Sequence, residues 1–151
     1  ARDAHVPVAV LDAVEVNAFG SALCDTIEWA TLAKVVQDGE LDQTVMLRSS
    51  KATYGNMGPV SGLVSVVRAC KLMELGMHGP MPHLRKMLDT SGLEAGPRER
   101  LELLTETVEA RFLNQIVGVS SFGSTGTNCH QILWGHKPEE KQEAARTQPI
   151  T

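Results

Sequence analysis

The chain has 151 residues, 42% of them hydrophobic and 21% charged, a composition typical of a single globular domain with its own core. Its formal net charge of −4 arises from mixed signs along the chain, so no basic surface for nucleic acid is predicted. No apolar run approaches the roughly 20 residues needed to cross a bilayer, which excludes an integral membrane span.

Cysteine and histidine usage argues against metal and disulfide chemistry. Cys24, Cys70 and Cys129 are widely spaced and form no C-x-x-C pair, so the chain fits a reducing compartment. The histidines include no H-x-x-x-H pair, and we predict neither a metal site nor a cofactor. Because the chain begins at Ala1 rather than methionine, we expect that an upstream segment is removed. Import into an organelle, including a plastid, is one interpretation.

The first third of the chain predicts a strand followed by a helix. Val6 to Val16 is short and rich in β-branched residues, which indicates a buried strand. After a glycine turn, Asp25 is placed to cap a helix, and Glu28 completes a capping-box variant. That helix ends near Gly39, and Gln43 to Lys51 predicts a second buried strand.

The segment from Val60 to Gly76 has the length of a helix and is apolar nearly all round. Arg68, Lys71 and Glu74 form its one narrow polar stripe. A helix of this kind is normally packed between other elements, because leaving apolar area in water costs roughly 25 cal/mol per Å². We therefore expect a partner to cover its apolar side chains: Leu63, Val64, Val67, Leu72 and Met73.

The remaining segments predict a helix, a hairpin and a tail. Pro97 to Phe112 is charged and amphipathic, which predicts a helix. Asn114 to Gly135 reads as strand, glycine-rich turn and strand, a hairpin. We divide the chain into a folded part, residues 1–134, and a polar tail, residues 135–151. Ile150 is the tail's one large hydrophobic residue, and we expect the tail to contact a partner too.

Three motifs occur in a specific order: "EVNAFGSALCDTIE", "KATYGN" and "SFGSTGTNCH". They resemble the β-ketoacyl synthase signatures "EAHGTGTxxGDxxE", "KSNIGH" and "SFGFGGTNAH", and "ELGMHGPMPHL" is similar to the family's "LxxGxIPPTL". The resemblance runs from Leu11 to Trp134. It implies an α/β fold: the C-terminal half of a thiolase-like layered fold, with a mixed sheet flanked by helices. In that fold the helix from Val60 to Gly76 lies in the middle layer between two halves.

The departures from these signatures concern the chemistry. The resemblance implies a cysteine nucleophile in an N-terminal half that is not on this chain. It also implies two histidines that drive malonyl decarboxylation, and these fall on Asn17 and Asn56. An amide cannot accept and return a proton near neutral pH as imidazole does. The family's gating phenylalanine falls on Ser124, and its pocket lysine falls on Lys51.

We interpret the singled-out residues as structural. Asn17 and Asn56 are taken as polar loop residues, and Lys51 as a structural charge paired with Glu15. Cys129 occupies a small-residue position and is expected to pack, and the glycine-rich turn is not expected to bind phosphate. His78, His83 and His130 are interpreted as loop or strand-end residues with ordinary hydrogen bonds.

Two functional classes remain. The favoured one is a non-catalytic, ketosynthase-derived protein that acts as a structural or interaction subunit of a larger assembly. The alternative is a subunit that supports Claisen condensation in fatty-acid or polyketide synthesis, either like a chain-length factor or as one piece of a split ketosynthase. The asparagines argue against the split enzyme, which should keep its histidines.

Overall fold

The computed structural model describes residues 6–39, 43–84 and 100–137. Within these ranges the chain forms one five-stranded sheet, one two-stranded sheet and three α-helices. The helices are α1 (Ala22–Asp38), α2 (Lys51–Tyr54) and α3 (Ser61–Leu75). The strands are β1 (Ala13–Glu15), β2 (Val45–Arg48), β3 (Met77–His78), β4 (Leu101–Leu103), β5 (Val108–Glu109), β6 (Asn114–Phe122) and β7 (Asn128–His136).

The large sheet is mixed, with the strand order β4-β2-β1-β6-β7. The first four strands of that order are parallel, and only β7 runs antiparallel to its neighbour. The predicted mixed sheet flanked by helices is therefore confirmed. The antiparallel member arises because β6 and β7 are joined by a tight glycine-rich turn, as a hairpin requires.

The two long helices cover opposite faces of this sheet. Ala33 and Val36 of α1 pack against Val14 and Leu47. On the opposite face, α3 packs in a cluster of five buried residues: Ala13, Ala69, Met73, Val117 and Val119. The side chains of the adjacent β1 residues Ala13 and Val14 thus pack on opposite faces of the sheet, because successive side chains of a strand point to opposite faces. No helix in the described part of the chain is both long and apolar enough to span a bilayer.

The helix predicted from Val60 to Gly76 is confirmed, and Gly76 ends it in the left-handed conformation (φ +67°). Its predicted polar stripe is wrong in one respect, since Arg68 is buried while Lys71 is exposed. Within the described residues only one face of α3 is covered. Leu63 and Val67 remain 64% and 54% exposed.

The partner-contact candidates on α3 do not all face outward. Val64 and Leu72 are half-buried, and Met73 is 3% exposed because it packs into the core against β6. Met73 is therefore wrong as a candidate partner contact. Ile150 lies outside the described residues.

The helix predicted from Pro97 to Phe112 is wrong where the structure describes it. Residues 85–99 are outside the described ranges, and residues 101–103 and 108–109 form β4 and β5. Leu101 is buried beside Val45 of β2, to which it is the parallel register partner. Edge pairing with the sheet thus overrides a local leucine–glutamate pattern that has good helix propensity.

Two other element boundaries differ from expectation. The strand predicted from Val6 to Val16 is shorter, since Val8–Val10 is a 3₁₀ turn and only Ala13–Glu15 joins the sheet. The hairpin is confirmed, and β7 continues to His136, two residues into the predicted polar tail. The division between folded part and tail otherwise stays a prediction.

Candidate functional site

A small cleft lies where β1, β2 and β6 end. These three strands are parallel, so their carboxyl ends meet at one edge of the sheet, the usual position of ligand sites in α/β folds. The cleft has a volume of about 290 Å³. The residues at the family's signature positions meet here: Asn17, Lys51, Asn56 and Ser124 all line it. The sequence motifs thus converge on one site although the first and the last, at Asn17 and Ser124, lie over a hundred residues apart.

Asn17 is held on every side that the structure describes. Its backbone N–H donates to Glu28 Oε1 at 2.8 Å, and its side-chain Oδ1 accepts from Lys51 Nζ at 2.8 Å and from the Phe122 N–H at 3.3 Å. The side chain is 7% exposed. Because both donors require an oxygen, they fix the orientation of the amide. Asn17 therefore links the loop after β1 to Lys51, which follows β2, and to Phe122, the last residue of β6.

Glu28 supports this arrangement from α1. Its two carboxylate oxygens accept the backbone N–H groups of Asn17 and Ala18, at 2.8 and 2.9 Å. Burial raises the pKa of Glu28, and those two hydrogen bonds partly oppose the rise. The predicted capping box is wrong. The N-cap position is Ser21, while Asp25 lies inside the helix and accepts the Gly20 N–H.

The predicted pairing of Lys51 with Glu15 is also wrong. Lys51 Nζ donates instead to the backbone oxygen of Asn17 at 2.5 Å and to its side-chain oxygen. Burial lowers the pKa of Lys51, and the nearby carboxylates of Glu28 and Asp25 oppose the shift. Lys51 thus connects two sides of the cleft through hydrogen bonds to the neutral side chain and backbone of Asn17.

Asn56 sits at the exposed mouth of the same cleft. Its Oδ1 accepts the Gly58 N–H at 3.0 Å and the Ser61 hydroxyl at 3.2 Å, and that hydroxyl oxygen in turn accepts the Met57 N–H. These bonds close the 3₁₀ turn that leads into α3. The amide oxygen at the second histidine position therefore already has structural donors, as does that of Asn17.

The turn between β6 and β7 forms another wall of the cleft. Ser124 lies in it, and the Gly123 N–H donates to the Thr127 oxygen to close the hairpin. Cys129 follows at the start of β7 and is exposed, so its predicted packing role is wrong. Cys24 and Cys70 are exposed as well, and none of the three thiols lines the cleft. No cluster that could hold a metal ion occurs within residues 6–39, 43–84 and 100–137.

The backbone beside the cleft is strained at Ala18. This residue has φ +41°, a left-handed conformation in which its Cβ is crowded, and it occupies the position of the glycine in the signature "EAHG". The two hydrogen bonds to Glu28 hold the loop in this shape despite the lost glycine.

Beneath the cleft lies a buried ionic cluster that sequence reasoning missed. Glu15 Oε1 is 2.6 Å from Arg68 Nη1 and 3.0 Å from Arg48 Nε, and Arg48 Nη1 is 3.4 Å from His78 Nδ1. Burial raises the pKa of Glu15, and the two guanidinium groups pull it back. The sequence feature that could have indicated this cluster is Arg48, which ends the apolar strand β2 and therefore lies next to buried residues.

His78 is the member of this cluster whose ordinary pKa lies nearest neutral pH. It is 4% exposed on β3, and burial together with the charge of Arg48 lowers its pKa to about 4. Arg68 also donates to the Pro80 backbone oxygen at 3.1 Å. The cluster therefore links residues 78–80 to β1, β2 and α3. The expectation that His78 is a strand-end residue with ordinary hydrogen bonds is confirmed, since it ends β3 and is hydrogen-bonded to Arg48.

Comparison with known proteins agrees with these features. Residues 1–85 match the family described as "Beta-ketoacyl synthase, C-terminal domain", which is more than half of the chain. One relative is erythronolide synthase EryA2 from Saccharopolyspora erythraea, 34% identical over 95% of this chain. The chain spans only 4% of the length of that relative.

Solved structures show the same fold. The ketosynthase from module 1 of the bacillaene synthase of Bacillus amyloliquefaciens superposes with a TM-score of 0.79 at 19% identity, covering 96% of this chain and 29% of that one. The PfaC keto synthase–chain length factor superposes with a TM-score of 0.69 at 21% identity, covering 87% of this chain and 13% of that one.

Proposed function

Because the chain belongs to the β-ketoacyl synthase C-terminal domain family, we propose that it is a non-catalytic member. In this proposal it serves as a structural or interaction subunit of a larger assembly. The relatives that it matches include polyketide synthases, so an assembly of that kind is the expected setting.

The observation that carries the proposal is the state of the two amides in the cleft. Asn17 and Asn56 stand at the positions of the family's histidines, and each uses its Oδ1 to accept hydrogen bonds from the surrounding fold. Decarboxylation of a malonyl group needs stabilisation of a developing enolate, and proton transfer needs a group that titrates near neutral pH. Amides do not titrate there, so neither Asn17 nor Asn56 can perform such a proton transfer.

The outer face of α3 supports the interaction role. Leu63 and Val67 are largely exposed on a helix whose opposite face is in the core, and Tyr54, Met57 and Val60 extend the same apolar surface. Exposed apolar surfaces of this kind are uncommon on proteins that remain alone. We therefore propose that another subunit or another part of a longer polypeptide covers α3.

The alternative is a subunit that supports condensation without performing it, like a chain-length factor, or one piece of a split ketosynthase. The exposed apolar face of α3 favours this alternative if the partner that covers it is an N-terminal half of the same fold. The chain-length-factor version also has a non-catalytic cleft and differs from the first proposal in the partner, whereas a split ketosynthase would need a catalytic cleft.

A decarboxylation assay tests the central claim. We expect the purified full-length protein to release carbon dioxide from a malonyl thioester no faster than a heat-denatured control. The double variant Asn17→Ala/Asn56→Ala should behave identically. Turnover above background that either alanine substitution abolishes would overturn the proposal, because it would make the amides catalytic.

The partner separates the two proposals. Native purification followed by mass spectrometry should identify the protein that co-purifies in stoichiometric amount. An active ketosynthase would favour the condensation-supporting alternative, whereas another component would favour the structural role. The variant Leu63→Glu places a charge on the outer face of α3 and should release the partner. The matched control is Gln37→Glu, which adds the same charge at an exposed position of α1 on the opposite face of the sheet.

A further inference from the structure

A groove with a volume of about 730 Å³ runs between the outer face of α3 and the residues that follow it, 77–82. Large apolar side chains make up most of its lining, among them Met57, Leu63, Val67 and Leu75. Arg68 and Lys71 line it too, and none of the described residues that line it is acidic. The groove is therefore an apolar surface that carries positive charge and no negative charge of its own.

The two cations of the groove differ in how their charge is balanced. Lys71 lies at the exposed rim, where its Nζ is 2.8 Å from Glu74 Oε2, so a carboxylate and the solvent already balance its charge. Arg68 is buried at the floor of the groove, where solvent screens charge far less. The charge that a partner has to match is therefore that of Arg68.

The ionic cluster that contains Arg68 holds more positive than negative charge. Arg68 Nη1 and Arg48 Nε share one oxygen of Glu15, at 2.6 and 3.0 Å, and His78 adds no charge near pH 7 because its pKa is about 4. Two guanidinium groups against one carboxylate leave a positive charge uncompensated in the interior, which is unfavourable. Arg48 is wholly buried, and its Nη2 has no partner among the described residues. Of the two arginines only Arg68 lines the groove, so a further carboxylate can approach the cluster there.

The Arg68 guanidinium retains donors for such a carboxylate. It has five N–H groups, and its bonds to Glu15 and to the Pro80 backbone oxygen use two of them. A Cβ placed on Gly79 would lie 2.8 Å from Arg68 Nη2 and 3.1 Å from Leu72 Cδ1, so the guanidinium and the Leu72 side chain flank the same wall of the groove. A carboxylate beside Leu72 can therefore accept a charge-assisted hydrogen bond from Arg68.

We propose that the partner of α3 is a protein segment with an apolar face and one aspartate or glutamate whose carboxylate binds Arg68. This inference rests on the interaction role proposed above and specifies the chemistry of the partner. Apolar side chains of that segment pack against Leu63 and Val67, and its carboxylate supplies the negative charge that the cluster lacks. A wholly apolar segment would bury Arg68 further without a counter-charge, and a basic segment would add repulsion, so the groove selects against both.

A matched pair of substitutions at Leu72 tests the need for a carboxylate in the isolated protein. Leu72→Glu places a carboxylate beside Arg68, and Leu72→Gln is the control that loses the same apolar contacts without adding charge. We expect the glutamate variant of the purified full-length protein to melt about 2–4 °C above the glutamine variant, because only the glutamate balances the cluster. Equal melting temperatures, or a higher one for Leu72→Gln, would overturn the proposal, since the cluster would then need no further negative charge.

The complex isolated by native purification gives the second test. There Leu72→Glu should weaken binding of the co-purified partner about tenfold more than Leu72→Gln, because the new carboxylate repels that of the partner.

Val67 supplies a second pair whose folding is not at risk, since its side chain is largely exposed. Val67→Glu should weaken the complex more than Val67→Lys, and added salt should reduce the difference. Equal weakening within either pair, or the reverse order, overturns this inference and leaves the interaction role standing. A second copy of this chain in the groove overturns it as well, whereas a protein that purifies without any companion overturns both.

Discussion

Arg68 Nη1 lies 2.6 Å from Glu15 Oε1, and this contact joins the buried face of α3 to β1 in the interior of the protein. The Glu15 side chain is wholly buried and that of Arg68 is 8% exposed. Arg48 approaches the same oxygen from β2, and the cluster therefore links two strands and a helix directly under the cleft.

Removing the Glu15 charge should destabilise the protein. Glu15→Gln leaves two buried guanidinium groups without their carboxylate, and breaking such a buried ion pair costs about 3–5 kcal/mol. Urea unfolding followed by circular dichroism measures the loss. Lys71→Ala, which removes a 71% exposed partner of Glu74, is the control and should have little effect. An unchanged or more stable Glu15→Gln variant would show that Glu15 is protonated in the native protein.

Restoring glycine beside the cleft should stabilise the protein. Ala18 has φ +41°, where a Cβ is crowded, so Ala18→Gly relieves strain and should raise the free energy of unfolding by about 0.5–1 kcal/mol. Gly20→Ala is the mirror control, since Gly20 has φ +86° in open space and should lose stability through backbone strain alone. Thermal melts of both variants check the pair. A loss of stability in Ala18→Gly would contradict the strain argument.

His78 should make the fold sensitive to mild acid. Its pKa in the folded protein is about 4, below the ordinary value of 6.5, so the unfolded chain binds the proton more readily. The stabilising effect of neutral His78 is thus present above pH 6.5 and is lost as the pH falls toward 4. His78→Gln keeps a hydrogen-bonding side chain but does not titrate. The stability of this variant relative to the unmodified protein should therefore rise as the pH falls from 6.5 toward 4.

The measurement for His78 is the melting temperature as a function of pH for both proteins. Only the difference between the two curves is informative, because the carboxyl groups of Glu15 and Glu28 titrate in both. His83→Gln, at an exposed histidine, is the control and should leave the pH dependence unchanged. Parallel curves for His78→Gln and the unmodified protein would contradict the assignment.

Truncating a side chain on the buried face of α3 should have a different effect from truncating one on its exposed face. Met73 is 3% exposed in the core beside Val117, so Met73→Ala should cost about 2–4 kcal/mol of stability. Leu63 is 64% exposed, so Leu63→Ala should leave the isolated chain nearly unchanged and weaken only its association with a partner. Chemical denaturation and co-purification separate these effects. Equal destabilisation by both substitutions would mean that Leu63 is already covered.

The sequence by itself determined the fold family, α3, and two strands that border the cleft, β1 and β6. The motifs determine local structure because glycine, lysine and asparagine suit particular turns and loops. The apolar stretch between Val60 and Gly76 predicts a helix because it is too long for an ordinary strand. The same motifs contain Asn17, Lys51 and Asn56. The structure then placed all three in one cleft.

Only the tertiary structure decided the partners. Lys51 bonds to Asn17 rather than Glu15, and Glu15 pairs with Arg48 and Arg68, because these choices depend on how strands and helices stack rather than on spacing along the chain. The same reason explains why residues 101–103 became a strand. Local propensity amounts to tenths of a kcal/mol per residue, and pairing with β2 together with burial of Leu101 outweighs it.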